Sequence, residues 1–291
     1  MIRSILNTSL LLAITIVFFA CNGTGSASSE SEASFADSAR IVSINGTVSE
    51  ILVDLGLEEQ IVGVDVASTY PERLQENPKV GHSRQLTAEG VLALNPDVVI
   101  ATTNDLKPEV KDQIVSAGAK VLVFDHEYSV EGAKGLIRTL ADSLDKSAKG
   151  DSIITALESD LSKVDSLDQP DSKPSVLFIY ARGAGTMMVA GEGTQVEKII
   201  QLAGGENAVS GFSDFKPLTA EALVAANPDV ILLFDSGLSS LGGADMLLEM
   251  PGVKETNAGR NQKIVEMDGQ LLTGFSQRLG KAILELSEKI H

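Results

Sequence analysis

Few side chains in this sequence are equipped for chemistry, and their kinds and positions limit what that chemistry is. The 291 residues include one cysteine, three histidines and three tyrosines. The cysteine, Cys21, directly follows an apolar run at the start of the chain, so the remainder has no thiol to act beside a histidine. The histidines are His82, His126 and the terminal His291. Zinc and manganese sites built on several imidazoles need more than two internal ones. The stretch "GAGTMMVAG" holds a G-x-G but not a full dinucleotide fingerprint. There is no P-loop and no G-x-S-x-G. The chain is therefore expected not to be an enzyme; a lipid-anchored two-lobed enzyme working through carboxylates is the alternative from a different class. The polar residues with the clearest pattern are two matched glutamates, Glu89 and Glu221.

Those glutamates stand in a repeat. "LTAEGVLALNPDVVI" runs from Leu86 to Ile100, and "LTAEALVAANPDVIL" from Leu218 to Leu232. Thr87 and Thr219 are suited to cap a helix, and each glutamate falls in the first turn, where negative charge suits the dipole. Apolar residues follow at helical spacing. Asn-Pro ends each helix, because the residue before proline avoids the α region. A continuous apolar run then reads as a buried strand. Further strands are expected at "RIVSI", "IVGVD", "KVLVF", "SVLFIY" and "KIVEM", with helices between them. This alternation predicts parallel sheets covered on both faces. The fold class is α/β: two Rossmann-like lobes, 40–129 and 171–291, joined by a helical connector over 130–170 that is expected to include one long helix, with a ligand cleft between the lobes. The connector has apolar residues at helical spacing, with Gly150 as its weak point.

The first twenty residues form a separate segment. "MIRSILNTSLLLAITIVFFAC" carries one positive residue and an apolar run from Leu10 to Ala20. That run is too short for a membrane-spanning helix, which takes about 20 residues, and it reads as a signal peptide. With Ala20 before Cys21 it resembles a bacterial lipobox, in which the cysteine is lipidated. Residues 21–39 are rich in Gly, Ser and acid and read as a flexible tether. The formal net charge of -17 argues against a nucleic-acid partner, since phosphate binding needs clustered Lys and Arg.

Several stretches together resemble one family. They are "GVDVASTYPERL", "VGHSRQLTAEGVLALNPDVVIA", "TMMVAGEGT" with "IIQLAGGENAV", and "GLSSLGGADMLLEMPGV" with "MDGQLLTGFSQRLGKAILEL". With the lipobox and the two lobes, they resemble the haem-binding branch of the helical-hinge substrate-binding proteins of bacterial ABC importers. The resemblance covers almost the whole mature chain. It implies a cleft between the lobes that captures haem b as cargo and delivers it to a permease dimer. It also implies anchorage through Cys21 on the periplasmic side of a membrane. A ferric-siderophore or cobalamin binder of the same fold is the alternative, although siderophore sites usually draw on more arginines or aromatics than this chain supplies.

The resemblance also assigns residues. Tyr70, in "STYP", takes the place of the axial tyrosine; a phenolate is a hard oxygen ligand suited to ferric iron, and Arg73 nearby would favour it. His82 is the candidate second ligand, with His126 at a strand end behind it. Propionate partners are sought among Arg84, Arg182, Lys216 and Arg278, since arginine is the best fork for carboxylates. Apolar walls are sought at Phe212, Phe215, Leu272 and Phe275. Glu89 and Glu221 fit the positions where each lobe presents an acid to the permease.

Overall fold

The computed structural model of this chain describes residues 35–165 and 172–291; Cys21, the signal segment and most of the tether lie outside them. The first lobe runs through α1 (Phe35–Ser38), β1 (Ile41–Ser43), α2 (Gly46–Asp54), β2 (Ile61–Val64), α3 (Ala88–Leu92), β3 (Val98–Thr102), α4 (Pro108–Ser116) and β4 (Lys120–Phe124). Its four strands lie in the order β2-β1-β3-β4, all parallel. Parallel neighbours need a crossover, and the helices of the sequence pattern supply it.

Two connector helices follow, α5 (Val130–Ser143) and α6 (Ser147–Asp165). The expected weak point, Gly150, is not where the connector breaks. The chain turns at Asp145, whose φ is 56°, and Gly150 lies inside α6. A Cβ on Gly150 would come within 2.5 Å of the Ala141 Cβ, so glycine there lets α6 pack closely on α5.

The second lobe holds β5 (Ser175–Ala181), β6 (Met187–Ala190), α7 (Gln195–Leu202), β7 (Glu206–Asn207), β8 (Phe215–Pro217), α8 (Ala220–Ala226), β9 (Val230–Phe234), α9 (Asp235–Ser240), α10 (Ala244–Leu248), α11 (Asn257–Arg260), β10 (Ile264–Met267), α12 (Gly269–Thr273) and α13 (Leu279–Ile290). Its sheet departs from the all-parallel expectation. The order is β10-β9-β5-β6-β8, and β6 pairs antiparallel with both β5 and β8. The reason is local: Gly183, at φ 69°, turns the chain straight back after β5, so β6 pairs as a hairpin instead of crossing over.

The central strands β3, β5 and β9 are buried on both faces, and their period of two divides three cores. In β5, Val176 and Phe178 join one cluster while Leu177 and Ile179 join another. In β3, Val98 and Ile100 face one way and Val99 and Ala101 the other. The largest cluster is shared: Ile41 and Ile100 of the first lobe, Ile137 and Leu157 of the connector, and Phe178 and Ile283 of the second lobe belong to it. The repeats fold alike. Thr87 and Thr219 each accept a backbone N–H at 3.2 Å. Each Asn of the Asn-Pro pair, Asn95 and Asn227, is left-handed at φ 47° and 42°, a conformation asparagine tolerates.

Candidate functional site

A cavity of about 720 Å³ opens between the lobes. Its size falls in the range of small-molecule sites. The first lobe contributes Val66, Gly81, His82 and Gln85; the second contributes Tyr180, Arg182, Met188 and Phe215.

Local structure explains these positions. Gly81, at φ 107°, makes a turn that only glycine adopts readily, and His82 follows it at an exposed position. The loop is tied down: Val66 N donates to Gly81 O at 3.1 Å, and Gln85 N to His82 O at 2.8 Å. Ser83 Oγ lies 3.5 Å from His82 Nδ1. Across the cavity, Tyr180 and Arg182 leave the C-terminal end of β5 two residues apart, so both project to one side. Strand ends of this kind are where α/β sheets bind ligands. Met188 is the partner of Tyr180 in the β5–β6 hairpin. The Tyr180 ring meets Phe215 at 6.4 Å and Phe234 at 6.2 Å, both edge to face. The Arg182 guanidinium is 5.9 Å from the Tyr180 ring centroid. Gly183 N donates to Ser240 Oγ at 2.9 Å, which fixes the turn that follows. The cavity therefore has one imidazole, one phenol and one guanidinium among apolar walls.

A second chamber of about 550 Å³ lies along the same cleft, with Ala67 and His126 from the first lobe and Phe234, Asp235 and Asp268 from the second. Burial pulls the His126 imidazole below its ordinary value, against the backbone of Phe275, the charge of Asp105 and the backbone of Gly274. Its Nε2 is buried without a hydrogen-bond partner.

The structure separates residues that the sequence suggests together. His82 and Arg182 line the main cavity, whereas Tyr70 does not. Tyr70 lines a separate pocket of about 390 Å³ beside α6, with Arg278 and Lys281. Arg73 pairs with Glu58, not with Tyr70. Arg278 pairs with Glu50 and lies 3.7 Å over the Tyr70 ring. Burial lowers Arg278's pKa, but the hydrogen bond and charge of Glu50 outweigh this and raise it overall. Phe275 and Leu272 are fully buried and form no cavity wall. Phe212 lies under Lys216, whose Nζ is 4.4 Å from its ring, while Phe215 does line the cavity. The backbone of Arg84 sits in the short turn Ser83–Gln85; its side chain is outside the described residues. Glu89 and Glu221 are both exposed. Tyr180 lines the main cavity although sequence reasoning did not single it out. Its signal was a tyrosine at the end of a buried strand, two residues before Arg182.

Among the described residues, no group of three or more His, Cys, Asp or Glu side chains stands in metal-binding geometry. No helix of the described residues is long and apolar enough to cross a membrane.

Comparison with known proteins gives consistent matches. The family model described as "Periplasmic binding protein" matches residues 41–271. The periplasmic heme-binding protein RhuT from Roseiflexus sp. RS-1, in its apo form, is 39% identical with a TM-score of 0.82, covering 86% of this chain and 97% of that one. The heme-binding protein HmuT is 32% identical with a TM-score of 0.76, covering 87% of this chain and 84% of that one. Structures of HmuT variants replace a histidine, a tyrosine and, two residues after the tyrosine, an arginine. An uncharacterized ABC transporter substrate-binding lipoprotein of Bacillus subtilis, YvrC, is 27% identical over 87% of this chain and 80% of its own length.

Proposed function

This chain belongs to the periplasmic binding protein family, and we propose that it captures haem in the cleft between its lobes and hands it to an ABC importer. One observation carries the reading: His82 and Tyr180 face a single cavity of about 720 Å³ from opposite lobes, with Arg182 beside the tyrosine. Ferric haem needs axial ligands, apolar contact for its faces and cations for its two propionates. The imidazole and the phenol are established haem ligands. Tyr180 would hold the iron through its phenol oxygen, and the Arg182 guanidinium lies 5.9 Å from its ring centroid. Met188, Phe215 and Val66 supply apolar contact, and Arg182 is also the available fork for a propionate. The HmuT variants add support, since their tyrosine and arginine have the same spacing as Tyr180 and Arg182.

Under this reading the cargo is haem b and the chain does no chemistry on it. Cys21 carries a lipid that holds the protein on the periplasmic side of a membrane. Glu89 and Glu221, one on each lobe, meet the permease dimer.

The test is a titration with ferric haem followed in the Soret and charge-transfer bands, with Tyr180→Phe, His82→Ala and Tyr70→Phe measured alongside. The expected result is saturable binding whose ligand bands change in the first two variants and persist in the third. Loss of the bands in Tyr70→Phe alone would return the iron to Tyr70. No saturable binding by the unaltered protein would sink the haem reading in favour of a siderophore or cobalamin.

A further inference from the structure

The lobes also meet away from the cavity, where helix α2 and the loop after β2 face the segment from Gln270 to Arg278. The side-chain amide of Gln270 spends all its hydrogen-bonding capacity on this seam. Its Oε1 accepts from Thr69 N at 2.8 Å, Thr69 Oγ1 at 2.8 Å and Tyr70 N at 3.0 Å. Its Nε2 donates to Gly46 O at 2.9 Å and Glu50 Oε1 at 2.7 Å. Glu50, with a fully buried side chain, also accepts from Ser276 Oγ at 2.7 Å and Arg278 Nε at 3.0 Å. Thr47 Oγ1 donates to Gly274 O at 2.7 Å in a buried position.

Two features mark this seam as built for geometry. The first is its composition: a buried ion pair gains little stability over apolar packing, but a fully partnered polar network holds one arrangement. The second is strain. Phe275, bulky and buried, sits at φ 45°, a conformation that persists only where the surroundings over-determine it.

What the network holds is the loop after β2. That loop carries Val66 into the cavity wall, and Val66 N is bonded to Gly81 O, one residue before His82. A continuous path thus runs from Gln270 of the second lobe to the His82 loop of the first. We infer that Gln270 is a positioning residue, which fixes the His82 loop relative to Tyr180 and so sets the span of the cleft. The consequence for iron ligation rests on the function proposed above; the path itself does not.

The test compares the full chain with Gln270→Leu by amide hydrogen exchange without ligand and by the electron paramagnetic resonance of the ferric haem complex. The variant is expected to exchange about tenfold faster over both the Val66 loop and residues 80–85, with the sheets unchanged. Its haem is expected to divide between two coordination states where the unaltered protein gives one. Faster exchange confined to Thr69 and Tyr70, with residues 80–85 unchanged, would overturn the inference. Should Gln270→Leu not fold, Thr69→Val removes one contact and is read at residues 80–85 in the same way. If the unaltered protein shows no saturable haem signal while the exchange change reaches residues 80–85, the proposed function fails and the positioning role stands.

Discussion

The guanidinium of Arg278 lies over the ring of Tyr70, 3.7 Å from its centroid, while its nitrogens bind the buried carboxylate of Glu50. A cation in this position is attracted by the ring face, by about 0.5–2 kcal/mol depending on exposure. Tyr70→Phe keeps that face, so it is expected to leave both stability and the haem spectrum close to those of the unaltered protein. Arg278→Ala strands the Glu50 charge, which breaks a buried pair at a cost of about 3–5 kcal/mol. Urea unfolding of the two variants checks this; equal midpoints would contradict it.

Glu89 and Glu221 occupy the first turns of α3 and α8 and are both exposed. Surface substitutions of this kind usually change stability by no more than about 0.5 kcal/mol, with a further ~0.3–1 kcal/mol from reversing charge at a helix N-terminus. Glu89→Lys combined with Glu221→Lys is expected to keep haem affinity and to abolish uptake in cells that carry the permease. Normal uptake by the double variant would exclude docking through these acids.

His126 gives stability a pH dependence. Burial holds its imidazole below the ordinary 6.5, so the folded state favours the neutral ring. The resulting stabilisation is fully present above 6.5 and is lost as pH falls through the lower folded value. His126→Gln removes this titration. Urea midpoints measured from about pH 7.5 down to about pH 5 are expected to fall more steeply in the unaltered protein than in the variant. Parallel slopes would rule out His126 as the source.

Phe178 is fully buried in the cluster shared by both lobes and the connector, with its ring 4.8 Å from that of Phe234. Phe178→Ala is expected to cost about 3–5 kcal/mol. Because the cluster is shared, both lobes should lose stability together. Calorimetry showing one lobe melting early and the other unchanged would disprove that coupling.

The elements were legible in the sequence because each is specified over a short span. The repeat at Leu86 and Leu218 contains its own cap, helix, Asn-Pro stop and strand, so two lobes followed from local chemistry. The apolar runs of β3, β5 and β9 announced strands buried on both faces. The helical spacing of the connector was equally plain, although its break was not: Gly150 is present for the close approach of Ala141, a neighbour from another helix. The hairpin of β6 was missed because a four-residue strand, with two half-buried methionines followed by buried Val189 and Ala190, lacks an alternating period.

The candidate site divides in the same way. By itself the sequence determined the α/β class, the pseudo-symmetry and a short set of polar residues, including His82 and Arg182, because periodicity and turn chemistry act between near neighbours. Only the tertiary structure decided which of those residues share a cavity. Tyr70 and Tyr180 are alike as isolated side chains. One is covered by Arg278 beside the connector and the other faces His82 across the cleft, because the ends of strands distant in sequence converge only when the two lobes pack against one core.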